Sequence, residues 1–153
     1  MIDGVLVQPL KIIKNERGDV LHMLRRDDPV FKQFGEIYFS YIHSGYIKGW
    51  KKHLKQTQYF AVPVGNIKLV VYDDRPDSPS VGKVHEIEMG IHNYCLVQIP
   101  FGVWYSFRAL DNHVAMVANC ADIPHDPRES LKASLTDEHI PYRWNPPSLE
   151  DLA

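Results

Sequence analysis

The residues that invite a chemical reading are Lys51, His53 and Tyr105. Lys51 and His53 are two positions apart in Tyr46 to His53, so on a β-strand their side chains leave the same face. An imidazole titrates near pH ~6.5 in water, and a neighbouring ammonium disfavours its charged form, keeping it neutral and able to act as a base. An ammonium can also meet an anion, and a tyrosine hydroxyl can donate or accept a hydrogen bond. These types suit acid–base chemistry. They suit a metal badly: an ammonium offers no lone pair, a phenol is an uncommon ligand, and His53 alone would not hold iron, zinc or manganese tightly. No metal is expected. Each residue also admits a plainer role, Lys51 as a phosphate contact or a snorkelling cation, His53 as a hydrogen-bonded core residue and Tyr105 as a packing aromatic.

The elements that must position these residues read as strands. Short apolar or alternating runs recur between turn residues, and no helix of ordinary length stands out, which predicts an all-β chain. Strands are predicted over 4–13, 20–26, 36–43, 46–53, 58–64, 67–72, 83–89, 93–99, 104–109 and 113–119. Gly65-Asn66 is read as the loop of a tight hairpin. Asp73 to Pro79 and Pro124 to Pro127 are proline-broken loops, and a short helix is expected over 126–131 with Asp126 as cap and Pro127 in its first turn. The segment from 140 to 153 reads as a tail over the barrel, and nothing suggests a linker.

At 153 residues, 44% hydrophobic and 24% charged, the chain is expected to be one globular domain spanning 1–153. A net charge of −2 without long runs of one sign gives no field for nucleic acid, so small-molecule partners are expected. The start, Met1-Ile2-Asp3-Gly4, lacks a basic then apolar leader, and no stretch approaches a membrane span; a cytoplasmic location is expected. Cys95 and Cys120 lie in apolar runs and read as reduced core residues. Trp50, Tyr46 and Tyr59 offer flat faces for stacking, or simply pack.

Gly45, Lys51, His53, Gln58 and Gly65 reproduce the spacing of the first cupin motif, and Pro100, Gly102 and Tyr105 echo the second, with the metal ligands replaced. Asn15-Glu16-Arg17-Gly18, Ile47-Lys48-Gly49-Trp50-Lys51, Val71 to Arg75, Asp77 to Gly82 and Ile99 to Phe107 follow in order. In this succession the chain resembles the dTDP-4-dehydrorhamnose 3,5-epimerase family, a metal-free branch of the cupins. The resemblance implies a double-stranded β-helix (jelly-roll) barrel, with Lys51 and His53 facing inward and no cofactor. It implies an epimerase that abstracts a proton α to the C4 ketone of a nucleotide-linked 4-keto-6-deoxy-sugar, at C3 and/or C5, in surface polysaccharide biosynthesis. It also implies a homodimer exchanging strand 4–13.

The same resemblance marks departures. The family's base His falls on Lys51, its enolate-supporting Lys close to Gln58, and its acid Tyr near Cys120 or Ala121. Two readings follow: a rearranged epimerase with His53 as base, Lys51 on the enolate and Tyr105 returning the proton, or an inactive cupin that binds a sugar nucleotide or carbohydrate. Lys48 and Arg17 stand where the family meets anions, and together with Trp50 and Gln58 they are the substrate-binding candidates. Asp151 is a candidate for the acidic partner that orients the histidine, and Asp74 with Arg75 for an internal ion pair or a turn.

Overall fold

The computed structural model describes residues 1–145. Among these residues twelve strands form: β1 Leu6–Pro9, β2 Ile12–Ile13, β3 Val20–Leu21, β4 Glu36–Ile42, β5 Ile47–His53, β6 Gln58–Val64, β7 Asn66–Asp73, β8 Val84–Gly90, β9 Cys95–Ile99, β10 Val103–Ala109, β11 Ala115–Ala121 and β12 Ser130–Ala133. The first of two five-stranded antiparallel sheets runs β1-β9-β6-β11-β4, the second β12-β5-β10-β7-β8, and β2 pairs with β3. This is the expected all-β cupin barrel. Its inner faces meet in a core that includes Phe60, Leu69, Val97, Val103, Phe107 and Val117.

Sequence pattern and strand position agree. Central β6 is buried from Gln58 to Val62, as a strand covered on both faces should be, whereas β4 at the sheet edge is mostly exposed. The hairpin expectation fails. Gly65 does not close a hairpin, because β6 and β7 belong to different sheets. Gly65 has φ +73°, and a Cβ there would lie 2.5 Å from the Val114 carbonyl oxygen, so the glycine turns a barrel corner against neighbouring backbone.

The 4–13 segment breaks into two strands: β1 pairs with β9 of its own chain, Leu6 opposite Gln98, and Ile12 pairs with Leu21. The expected short helix is a single 3-10 turn over Pro127–Glu129, capped by Asp126 and running directly into β12, which the sequence reading missed. Leu135, Ile140 and Trp144 pack on the outer face of the second sheet against Ile47, Trp50, Val70 and Trp104, so the described part of the tail covers that face. Asp151 lies outside the described residues. Cys95 and Cys120 are free and buried. No helix among the described residues is long and apolar enough to cross a membrane.

Candidate active site

β5 carries the polar face of the site. Its pairing with β10 shifts register between Tyr105 and Phe107: Tyr105 lies opposite Lys51 and Phe107 opposite Lys48. This bulge places Lys48 and Lys51, three residues apart, on the same cavity. The intervening outward position is Trp50, 1% exposed and edge-on to Tyr142 at 6.1 Å. Trp50 is thus a packing residue of the outer face, away from the cavity that a substrate-stacking role would require. Arg17 sits in the exposed β2–β3 turn, where its N–H donates to Asn15 Oδ1, and it does not line the cavity either.

The cavity, about 210 Å³, lies between the two sheets and is lined by Tyr38, Ser40, Lys48, Lys51, Tyr105 and Asn119 over an apolar floor. That space suits one sugar ring, not a whole sugar nucleotide, whose nucleotide would extend over the mouth. His53 does not line it. The imidazole lies behind Tyr105, whose hydroxyl is 3.1 Å from His53 Nε2, while Nδ1 is hydrogen-bonded to Glu129 Oε1. Glu129 Oε2 accepts the N–H groups of Lys55 and Gln56, each at 3.2 Å. A carboxylate at Nδ1 fixes the proton there, so Nε2 accepts from the tyrosine. The turn Pro100-Phe101-Gly102 braces the strand end, with Gly102 at φ +87° donating its N–H to the His53 carbonyl at 2.7 Å.

Burial lowers the pKa of His53 against the opposing pull of Glu129, and Lys51 lowers it further. Burial alone would raise Glu129, but the hydrogen bonds from His53 and the Lys55 and Gln56 amides hold it below the ordinary carboxylate value. Burial and then Lys132 lower the half-buried Lys51 ammonium. The phenols of Tyr105 and Tyr38 are both raised by burial and stay neutral. Neutral imidazole, ionised carboxylate and protonated phenol therefore form one line, Glu129 to His53 to Tyr105, ending at the cavity beside an amine.

Gln58 is buried behind this surface. Its Nε2 donates to Gln56 Oε1 and its Oε1 accepts from Asn119 Nδ2, so it reaches the cavity only through Asn119. Asn119 Oδ1 is buried without a hydrogen-bond partner among the described residues. Arg75 pairs with Asp73, not with Asp74; Asp74 accepts from Lys52 Nζ and Trp104 Nε1. No group of three His, Cys, Asp or Glu among the described residues is placed to hold a metal ion.

Sequence reasoning missed Glu129, Tyr38, Ser40 and Asn119. Alternation along β4 puts Tyr38 and Ser40 on one face and would have found them. Glu129 had a weaker signal, as the acid of a capped turn before a strand that was not foreseen.

The chain matches the dTDP-4-dehydrorhamnose 3,5-epimerase family over residues 1–152. It is 31% identical over 143 residues to a probable low-salt glycan biosynthesis epimerase of Haloferax volcanii, covering 92% of this chain and 88% of that protein. It is also 31% identical over 147 residues to the spore coat polysaccharide biosynthesis protein SpsL of Bacillus subtilis, covering 95% and 97%. Among solved structures, a dTDP sugar isomerase from Desulfovibrio desulfuricans superposes with a TM-score of 0.93 at 45% identity, covering 99% of this chain and 97% of the other. With its barrel, its inward lysine and tyrosine, and this match along the whole length, the chain belongs to the dTDP-4-dehydrorhamnose 3,5-epimerase family.

Proposed function

We propose that the protein epimerises a nucleotide-linked 4-keto-6-deoxy-sugar at a carbon α to the C4 ketone, in polysaccharide biosynthesis, and works as a cytoplasmic homodimer without cofactor. The observation that carries the reading is the Glu129–His53–Tyr105 chain ending at the cavity wall beside Lys51. As the C–H bond breaks, its proton passes to the Tyr105 oxygen while the Tyr105 proton passes to His53 Nε2. His53 is the proton acceptor, and no free phenolate forms. Glu129 holds the imidazole in the accepting tautomer and steadies the imidazolium. The electron pair left on carbon spreads to the C4 oxygen, where Lys51 supplies the compensating charge. Lys48, on the same wall, meets the pyrophosphate as a point charge.

The test is incubation in heavy water with a panel of nucleotide 4-keto-6-deoxy-sugars, following deuterium at C3 and C5 by NMR and mass spectrometry. Incorporation with inversion, lost in His53→Asn at unchanged fold, is expected and names the carbon. Binding of the panel without any incorporation would instead support a recognition protein.

A further inference from the structure

Inversion at carbon needs two proton carriers, one on each face: a carrier that removes and returns a proton on one side regenerates the starting isomer. The Glu129–His53–Tyr105 chain supplies one. Its cavity end, Tyr105, lies on β10 of the second sheet. Across the cavity, on β4 of the first sheet, stands Tyr38. Among the described residues, the other ionisable groups on the cavity wall are Lys48, which donates to Ser40 Oγ at 2.6 Å, and Lys51, already assigned to the enolate.

The surroundings of Tyr38 suit a group that gives up a proton. Asn119 Nδ2 donates to the Tyr38 oxygen at 2.7 Å, and such a bond strengthens as the oxygen gains charge. The amide is oriented by a chain of its own kind: Asn119 Nδ2 also donates to Gln58 Oε1, Gln58 Nε2 to Gln56 Oε1, and Gln56 Nε2 to the Ile123 carbonyl. Flipping Asn119 would set two amide oxygens against each other at Gln58. Tyr38 is 37% exposed, so its hydroxyl regains a proton from water between turnovers.

Resting on the epimerase reading above, we infer that Tyr38 is the second proton carrier, the acid that protonates the enolate on the face opposite Tyr105, with Asn119 as its positioning residue. The Tyr38 O–H bond breaks, the new C–H bond forms with the enolate electron pair, and the C4 ketone is restored. Tyr38 is left as a phenolate held by Asn119 and His53 as an imidazolium; water resets both.

The experiment compares wild type with Tyr38→Phe and Tyr105→Phe in heavy water, measuring inversion and isotope exchange separately. Tyr38→Phe removes one hydroxyl from a partly exposed ring, so the fold should persist. In it, inversion should fall on the order of 10²-fold or more while exchange with retained configuration falls less than tenfold, because the enolate still forms and Tyr105 has time to trade protons with cavity water. Tyr105→Phe should lose both. Asn119→Ala should repeat the Tyr38→Phe split more weakly. Unchanged inversion in Tyr38→Phe, or an equal fall in both rates, would overturn the assignment of Tyr38 and leave the epimerase reading standing. A wild type without exchange or inversion would remove both.

Discussion

Glu129 and Lys51 pull the His53 imidazole in opposite directions. Burial sets its pKa below the ordinary ~6.5; the carboxylate raises it and the ammonium lowers it. Activity requires the neutral ring, so it should be full at higher pH and fall as pH drops through the lowered His53 value. Glu129→Gln removes the raising partner and should move this acid limb of kcat/KM to still lower pH, while losing on the order of 10²-fold in rate because the imidazolium is no longer held. Lys51→Met removes the lowering partner and should move the limb upward, with a loss of about 10²–10³-fold from the unsupported enolate. A pH–rate series on the three proteins checks this, and shifts in the same direction would break the assignment. At this scale the sequence was half legible. Spacing brought Lys51, His53 and Tyr105 together, but it did not show that Tyr105 stands between His53 and the cavity, a matter of which side chain reaches further from adjoining strands. Glu129 arrives from 76 positions away, a distance that no local pattern spans.

Between elements, the loop after β7 is held by one carboxylate. Asp73 is fully buried and accepts from Arg75 Nε at 2.8 Å, Ser78 Oγ at 2.5 Å and Ser80 Oγ at 2.6 Å. Arg75 and Ser80 in turn bind the backbone of Asp3, tying the N-terminus to the loop. Burial would raise the Asp73 carboxyl, but these donors hold it well below the usual carboxylate range. Asp73→Ala should cost about 3–5 kcal/mol in urea unfolding at neutral pH. The wild type keeps this contribution above the unfolded value of ~3.9 and loses it as pH falls toward the lower folded value, so the gap between the proteins should begin to narrow below about pH 4. The loop itself was readable from its prolines and serines; the choice of Asp73 over Asp74 as partner for Arg75 was not. The same holds at Gly65: a glycine at positive φ between two strands fits a hairpin and a barrel corner equally, and only long-range pairing of β6 with β9 and β11 decides.

For the molecule as a whole, the all-β class follows from turn spacing, but the strand number does not, since 4–13 divides in two and β12 carried no foreseen signal, and strand order depends on contacts between distant segments. That order leaves β4 as the edge of the first sheet, with Ile37, Phe39 and Tyr41 on its outward side exposed by 50%, 61% and 56%. A seven-residue apolar edge is the kind of strand that proteins cover or interrupt. The opposite edge, β1, is only four residues long and ends in Pro9. For the homodimer proposed above, these edges favour a contact on β4 rather than the exchange of strand 4–13. The inward side of β4 carries Tyr38 and Ser40 at the cavity, so a partner there would also border the site. Light scattering at micromolar concentration should give twice the mass of one chain. The pair Phe39→Lys and Tyr41→Lys should give a monomer with an unchanged β spectrum, because both side chains point away from the barrel, and its turnover should fall as the β4 side of the cavity opens. A wild-type monomer, or a dimer indifferent to both lysines, would place the contact elsewhere and leave β4 to be protected by its own twist.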